Sequence, residues 1–227
     1  MRVVGKSTLL AKLRDAYAGV EGVVFVDEPV AAWEQAGLLS AMYDGRLHAA
    51  VFQMMALSTR YAALRRALTS GARLVVSERS LWSDRCVFAA THLKGCDKDA
   101  YDLAHDSMLA SLPATARATI LLDAPVATLL ARVAARGRDG EGAADDAEGG
   151  AGGGGCSAAY LAELDAAHAR YYAGLDHHAA RVDAADGPAA VARRVVAAID
   201  AAVAAAAAGP PKPPAVDSPT CVAAAAL

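Results

Sequence analysis

Gly5-Lys6-Ser7-Thr8 stands directly before a run of helix-forming residues, an order suited to holding phosphates. Backbone N–H groups at a helix N-terminus cradle an anion. The Lys6 ammonium reaches the outer phosphates, and the Ser7 hydroxyl offers an oxygen to Mg²⁺. Two carboxylates, Glu28 and Glu78, each follow a short apolar run, and Arg79 follows Glu78. A carboxylate in that position can take the proton of an attacking hydroxyl, and a neighbouring guanidinium balances phosphate charge. A structural Glu78–Arg79 ion pair uses the same residues. Glu28 can orient the hydroxyl or hold a Mg²⁺-bound water. Arg132 and Arg136 are one helical turn apart and Arg138 follows Gly137. They converge as a phosphate clamp on a movable lid, or form a solvated basic helix end.

A second group can read a flat, polar ligand. Gln53, Ala56 and Arg60 fall at i, i+3 and i+7 and so share one helix face. An amide offers a donor and an acceptor side by side, which matches a pyrimidine or purine edge; solvent-facing polar residues are the plainer alternative. Arg60, if buried, needs a carboxylate, and Asp84 is available to pair with it. Phe52, Trp33, Leu39 and Met42 are apolar residues of a core or of a pocket wall.

These residues need elements to bring them together. Val23–Asp27, Arg73–Ser77 and Thr119–Leu122 read as buried strands, each ending in or beside an acidic residue. Helical stretches cover 7–18, 48–69, 98–110 and 126–136, and helix resumes at Ala158–Tyr172. Val182-Asp183 reads as a last strand and 189–206 as the final helix. Strand alternating with helix predicts a doubly wound α/β sheet, with its site at the carboxyl ends of the strands. Residues 139–157 are glycine-rich and expected to form a flexible insertion. The proline-rich stretch within 201–227 is expected to leave an Ala/Pro-rich disordered tail.

Composition excludes several classes. Hydrophobic residues make up 55% and aromatics 5%, much of the former being alanine, so the reading is helix-rich around a modest sheet. A net charge of −3 points to no nucleic acid and no membrane surface. Cys86, Cys96, Cys156 and Cys221 stand apart without a CxxC pair, as reduced thiols do. The six histidines form no ligand-spaced cluster and read as structural or exposed. No apolar run suits a bilayer, and no secretory or transit segment is visible. The expected compartment is the cytoplasm or an organellar matrix.

In order, the chain carries Glu28-Pro29-Val30-x-x-Trp33, Leu39-x-x-Met42-Tyr43, Phe52-Gln53 with Arg60, Glu78-Arg79-Ser80-x-x-Ser83-Asp84-Arg85-x-x-Phe88, Arg132-x-x-x-Arg136-Gly137-Arg138 with Glu141, and Tyr160-Leu161-x-x-Leu164. This order resembles the deoxyribonucleoside kinases, most like the deoxycytidine and deoxyguanosine enzymes, over about residues 4–200. The resemblance implies a P-loop kinase fold, with a parallel sheet flanked by helices in one domain over 1–200. It implies transfer of the γ-phosphoryl of ATP, or another nucleoside triphosphate, with Mg²⁺ to a deoxyribonucleoside 5′-hydroxyl, in nucleotide salvage. Glu78 is then the general base with Glu28 its helper, and Ser7 and Glu28 touch the metal. Gly5, Lys6, Ser7, Thr8 and the arginines Arg132, Arg136 and Arg138 hold the phosphates. Gln53 pairs with the base, Phe52 and Phe88 sandwich it, and Tyr43 and Glu141 take the sugar 3′-hydroxyl. Trp33 lies by the sugar and Met42 lines the pocket. Arg60 with Asp84 favours deoxycytidine or a purine deoxynucleoside. A homodimer joined through helices is also implied.

The full phosphate-loop pattern requires a first glycine five positions before Gly5, and a strand to feed the loop. Neither is found ahead of Gly5, so the first strand of the fold is expected to be missing and the chain to be poorly stable and weakly active. An incomplete gene model, or a truncated non-catalytic nucleoside-binding protein, is the alternative.

Overall fold

The structure, a computed structural model, describes residues 5–136, 157–208 and 220–223; for Arg136 and 220–223 it describes the backbone alone. Three of the apolar runs form the parallel strands β1 (Val23–Val26), β2 (Leu74–Ser77) and β3 (Ala116–Asp123). The fourth, β4, covers His178–Asp183, four residues more than Val182-Asp183 alone. A fifth, β5, is Thr220–Ala223. All pair in parallel, in the order β1-β2-β5-β3-β4.

β5 departs from the expectation of a tail without structure from residue 201 onward. It lies between β2 and β3, with Thr220 opposite both Leu74 and Ala116. It is the middle strand of the five. A gap at that point would leave two rows of backbone N–H and C=O groups unpaired inside the protein, which buried backbone does not tolerate. Thr-Cys-Val is a sequence that suits a pleated, covered strand.

The helices flank this sheet. α1 (Lys6–Ala16), α2 (Val30–Gln35), α3 (Leu38–Tyr43) and α4 (Ala49–Leu68) come first. The run α5 follows: Leu81–Ser83, then Asp84–Ala89 in π-helical form, then Ala90–His92. α6 (Gly95–Ala110), α7 (Val126–Arg136), α8 (Ala158–Ala173) and α9 (Pro188–Ala207) complete the set. Pro188 opens α9 at a position where a missing N–H costs nothing. Among the described residues no helix is long and apolar enough to cross a membrane.

Strand alternation divides the core. Leu74 and Val76 of β2 belong to a cluster with Leu9, Leu13, Ile120, Leu129, Val195 and Ile199, beneath α1, α7 and α9. Val75, between them, faces Leu57, Leu64, Leu68, Leu81 and Tyr101, beneath α4, α5 and α6. The parallel pairing of β1 with β2 brings their carboxyl ends, with Glu28 and Glu78, to the same edge.

Candidate active site

Gly5 precedes α1 with φ +85°, a left-handed backbone open to glycine and strained for other residues. That turn aims the first N–H groups of α1 outward as an anion site. Lys6 is buried there, 6% exposed, while Ser7 and Thr8 are exposed.

β1 and β2 carry the two carboxylates to this helix end, and the structure separates them in a way the sequence did not. Glu78 turns toward the phosphate loop. Its Oε1 accepts from Ser7 Oγ at 3.2 Å, and its Oε2 accepts from the backbone N–H of Glu28 at 3.2 Å. Glu28 turns the other way, into a pocket, with its side chain 2% exposed. Arg79 Nε donates to Glu28 Oε1 at 3.1 Å, and Arg60 Nη2 donates to the same oxygen. Burial alone would push the Glu28 carboxyl up. Arg79, then Arg60 and Lys6, outweigh it and hold the group well below the usual carboxylate range. The residue that stands with Ser7 is therefore Glu78, not Glu28, and the carboxylate in the pocket is Glu28, not Glu78.

The pocket lies between β1 and the helices over it. Glu28, Arg79, Arg60 and Gln53 are its polar lining, with Tyr43, His92 and Tyr160. Trp33, Leu39, Met42, Phe52 and Phe88 are its apolar walls. The shared helix face is as expected: Gln53 is 4% exposed, Ala56 0%, and the Arg60 side chain 11%. Phe52 meets Trp33 edge-on, centroids 5.7 Å apart, and Trp33 Nε1 donates to Thr59 Oγ1 at 3.2 Å. Trp33 is thus both core and pocket wall. Arg60 stands 5.0 Å from the Trp33 ring and Arg79 4.2 Å from the Phe88 ring, so the cations are braced by aromatic faces as well as by carboxylates.

Asp84 is fully buried, and Arg60 Nη1 donates to its Oδ1. One guanidinium thus joins two carboxylates on different elements. Burial would lower the Arg60 pKa, but Asp84 and Glu28 reverse this and keep it protonated. Asp84 and Phe88 both sit in the π-helical part of α5, a conformation frequent at functional sites. Neither it nor the roles of His92 and Tyr160 was readable from the sequence. His92, taken there as structural or exposed, lines the pocket with its Nε2 3.0 Å from the Tyr160 hydroxyl.

Of the three arginines expected to converge, Arg132 donates to the carbonyl of Ala184 at 2.7 Å and so ties α7 to the loop after β4. The Arg136 side chain, Arg138, Glu141 and the glycine-rich stretch up to residue 156 lie outside the described residues. The loop that Arg132 grips is itself held, since Arg194 Nη2 donates to the carbonyl of Asp183 at 2.7 Å.

The oxygens of Ser7 and Glu78 beside a helix N-terminus fit a hard cation that also binds phosphate. Mg²⁺ takes one or two protein oxygens and keeps water and phosphate for the rest. Among the described residues no cluster of three or more His, Cys, Asp or Glu forms a cage for a metal, and such a site needs none.

A comparison with curated proteins found no match. The family model described as deoxynucleoside kinase matches residues 3–191, a span that includes the phosphate loop, both carboxylates and the whole pocket. On that match, and with the parallel sheet and loop just described, the chain belongs to the deoxynucleoside kinase family.

Proposed function

We propose that this chain transfers the γ-phosphoryl of ATP, or of another nucleoside triphosphate, to the 5′-hydroxyl of deoxycytidine or a purine deoxynucleoside. The observation that carries the reading is the division of labour between the carboxylates. Glu78 stands with Ser7 at the phosphate loop, and Glu28 stands in the nucleoside pocket against Arg79.

In the reaction the 5′-oxygen bonds to the γ-phosphorus while the bond to the β,γ-bridging oxygen breaks, leaving the nucleoside diphosphate. Such a transfer is loose, and catalysis is mostly positioning and charge stabilisation. Glu28, fully ionised, accepts a hydrogen bond from the 5′-hydroxyl and takes its proton late. The low pKa makes Glu28 a weak base, which fits orientation of the hydroxyl better than early deprotonation. Arg79 and Lys6 face the transferring group. Ser7 and Glu78 would hold Mg²⁺, which would supply charge neutralisation to the bound phosphates. The roles read from the sequence, with Glu78 as base and Glu28 at the metal, are exchanged.

Gln53 and Arg60 offer amide and guanidinium in the pocket lining, with Asp84 buried behind Arg60 and with Phe52 and Phe88 as base-stacking walls. Tyr43, in the pocket lining, serves the sugar. The chain is read as a homodimer, which sedimentation tests. The reading itself is tested by assaying phosphoryl transfer from ATP·Mg²⁺ to deoxycytidine, deoxyadenosine, deoxyguanosine and thymidine. Turnover of one or more supports it, with loss in Glu28→Gln; a folded protein that turns over none overturns it.

A further inference from the structure

Asp84 is held from two sides. Arg60 occupies its Oδ1, and Tyr101 of α6 donates its hydroxyl to Oδ2 at 3.3 Å. Tyr101 is 0% exposed and does not line the pocket. Its ring is fixed in turn. His105 stacks on it, with centroids 6.2 Å apart and planes 23° from parallel. His105 Nε2 sits 3.1 Å from the carbonyl of Leu81, at the start of α5. Burial, and then Asp84, push the Tyr101 phenol pKa well up, so the hydroxyl stays a donor.

A carboxylate with one bond on each oxygen cannot turn without breaking both. Asp84 on Nη1, together with Glu28 on Nη2, therefore sets the plane of the Arg60 guanidinium, and Arg60 lines the pocket. We propose that Tyr101 is a positioning residue for base discrimination: through Asp84 it fixes the orientation in which Arg60 is offered to the nucleoside base. The inference rests on reading the pocket as the nucleoside site.

The hydroxyl is worth a modest factor. At 3.3 Å it is long for an O–H···O bond. Loss of one such bond corresponds to about a 3- to 10-fold change in an equilibrium constant.

The test measures calorimetric Kd values for the four deoxyribonucleosides, and for ATP as a control on folding, in the wild type and Tyr101→Phe. The expected result is a roughly 3- to 10-fold change in the ratio of Kd values between the best- and worst-bound base, with ATP affinity unchanged. In an Asp84→Ala background the same Tyr101→Phe change should leave the ratio where it is, because no side chain then joins residue 101 to Arg60. That background also removes the buried charge left by Tyr101→Phe, so the comparison survives if the single variant does not fold. Equal weakening of all four nucleosides, an unaltered ratio, or an undiminished effect in the Asp84→Ala background overturns the proposal. A wild-type protein that binds none of the four overturns the nucleoside reading and this inference together. Nucleoside binding without turnover leaves the inference standing and sinks the kinase activity alone.

Discussion

Arg79 and Glu28 lie 51 positions apart in the chain, yet Arg79 Nε donates to Glu28 Oε1 at 3.1 Å on the pocket floor. Both side chains are nearly free of solvent, 3% and 2% exposed. The parallel pairing of β1 with β2 makes this contact, because it carries residues 28 and 78–79 out of the sheet side by side.

Glu28→Gln should reduce kcat by at least ~10²-fold, the scale of a lost proton-transfer group, with little effect on ATP affinity. Glu78→Gln should instead raise the Mg²⁺ concentration needed for half-maximal activity. A Mg²⁺ titration of both variants separates the roles; a steeper Mg²⁺ requirement in Glu28→Gln would reverse them.

The depressed pKa of Glu28 has a signed consequence for stability. A carboxyl whose folded pKa lies below its unfolded value, about 4.3 for Glu, contributes its full stabilisation above that value. The contribution is lost as pH falls through the folded pKa. The stability difference between wild type and Glu28→Gln should be flat from about pH 5 to 8 and shrink below about pH 4. Urea unfolding across that range measures it. A difference that grows on acidification means Glu28 is not held ionised by its arginines.

Arg60 compensates two buried carboxylates, so truncating it strands Asp84 and leaves Glu28 to Arg79. Arg60→Ala should cost about 3–5 kcal/mol of unfolding free energy, the cost of breaking a buried pair. Arg60→Lys keeps the charge without the fork that reaches Glu28 and Asp84 together, and should fall between. Equilibrium denaturation decides; a loss below 1 kcal/mol for the alanine variant would place the cluster in the surface class.

The left-handed turn at Gly5 makes a further demand. Gly5→Ala should cost ~1–2 kcal/mol and raise the KM for ATP, with nucleoside Kd unchanged. Unaltered ATP kinetics would mean that this turn does not shape the phosphate site.

β5 is tested by removing a backbone donor. Val222→Pro takes an N–H from a strand paired on both sides, and should destabilise the protein by about 3 kcal/mol or more. Val222→Ile retains the donor and the β-branched shape, and should cost less than the proline variant. Equal stability of the proline variant and wild type, by thermal or urea unfolding, would remove β5 from the centre of the sheet.

Much of this site was legible because it depends on local pattern. Apolar runs ending in Glu28 and Glu78 placed two carboxylates at one sheet edge, and the spacing of Gln53, Ala56 and Arg60 placed them on one buried helix face. What pattern cannot give is which way a side chain turns at a strand end. Glu28 and Glu78 occupy equivalent places in sequence, and only the position of Ser7 and of the two arginines tells them apart. Tyr101 was missed because its partner lies on another helix, and His92 because α5 passes through a π-helical stretch with no sequence signature. β5 was missed because four residues after a proline-rich stretch carry too little periodicity to read. Its pairing with β2 and β3 is a property of the whole sheet.

The position of β5 also sets an order of assembly. Its partners, at 74–77 and 116–119, leave the ribosome long before 220–223 do. Until then β2 and β3 each present an open edge, the kind of surface on which unfinished sheets stick to one another. Sheet closure is a long-range event, slow to form for its loop-closure entropy. A nascent chain of this kinase is therefore most vulnerable after its pocket residues have been synthesised and before its sheet is whole.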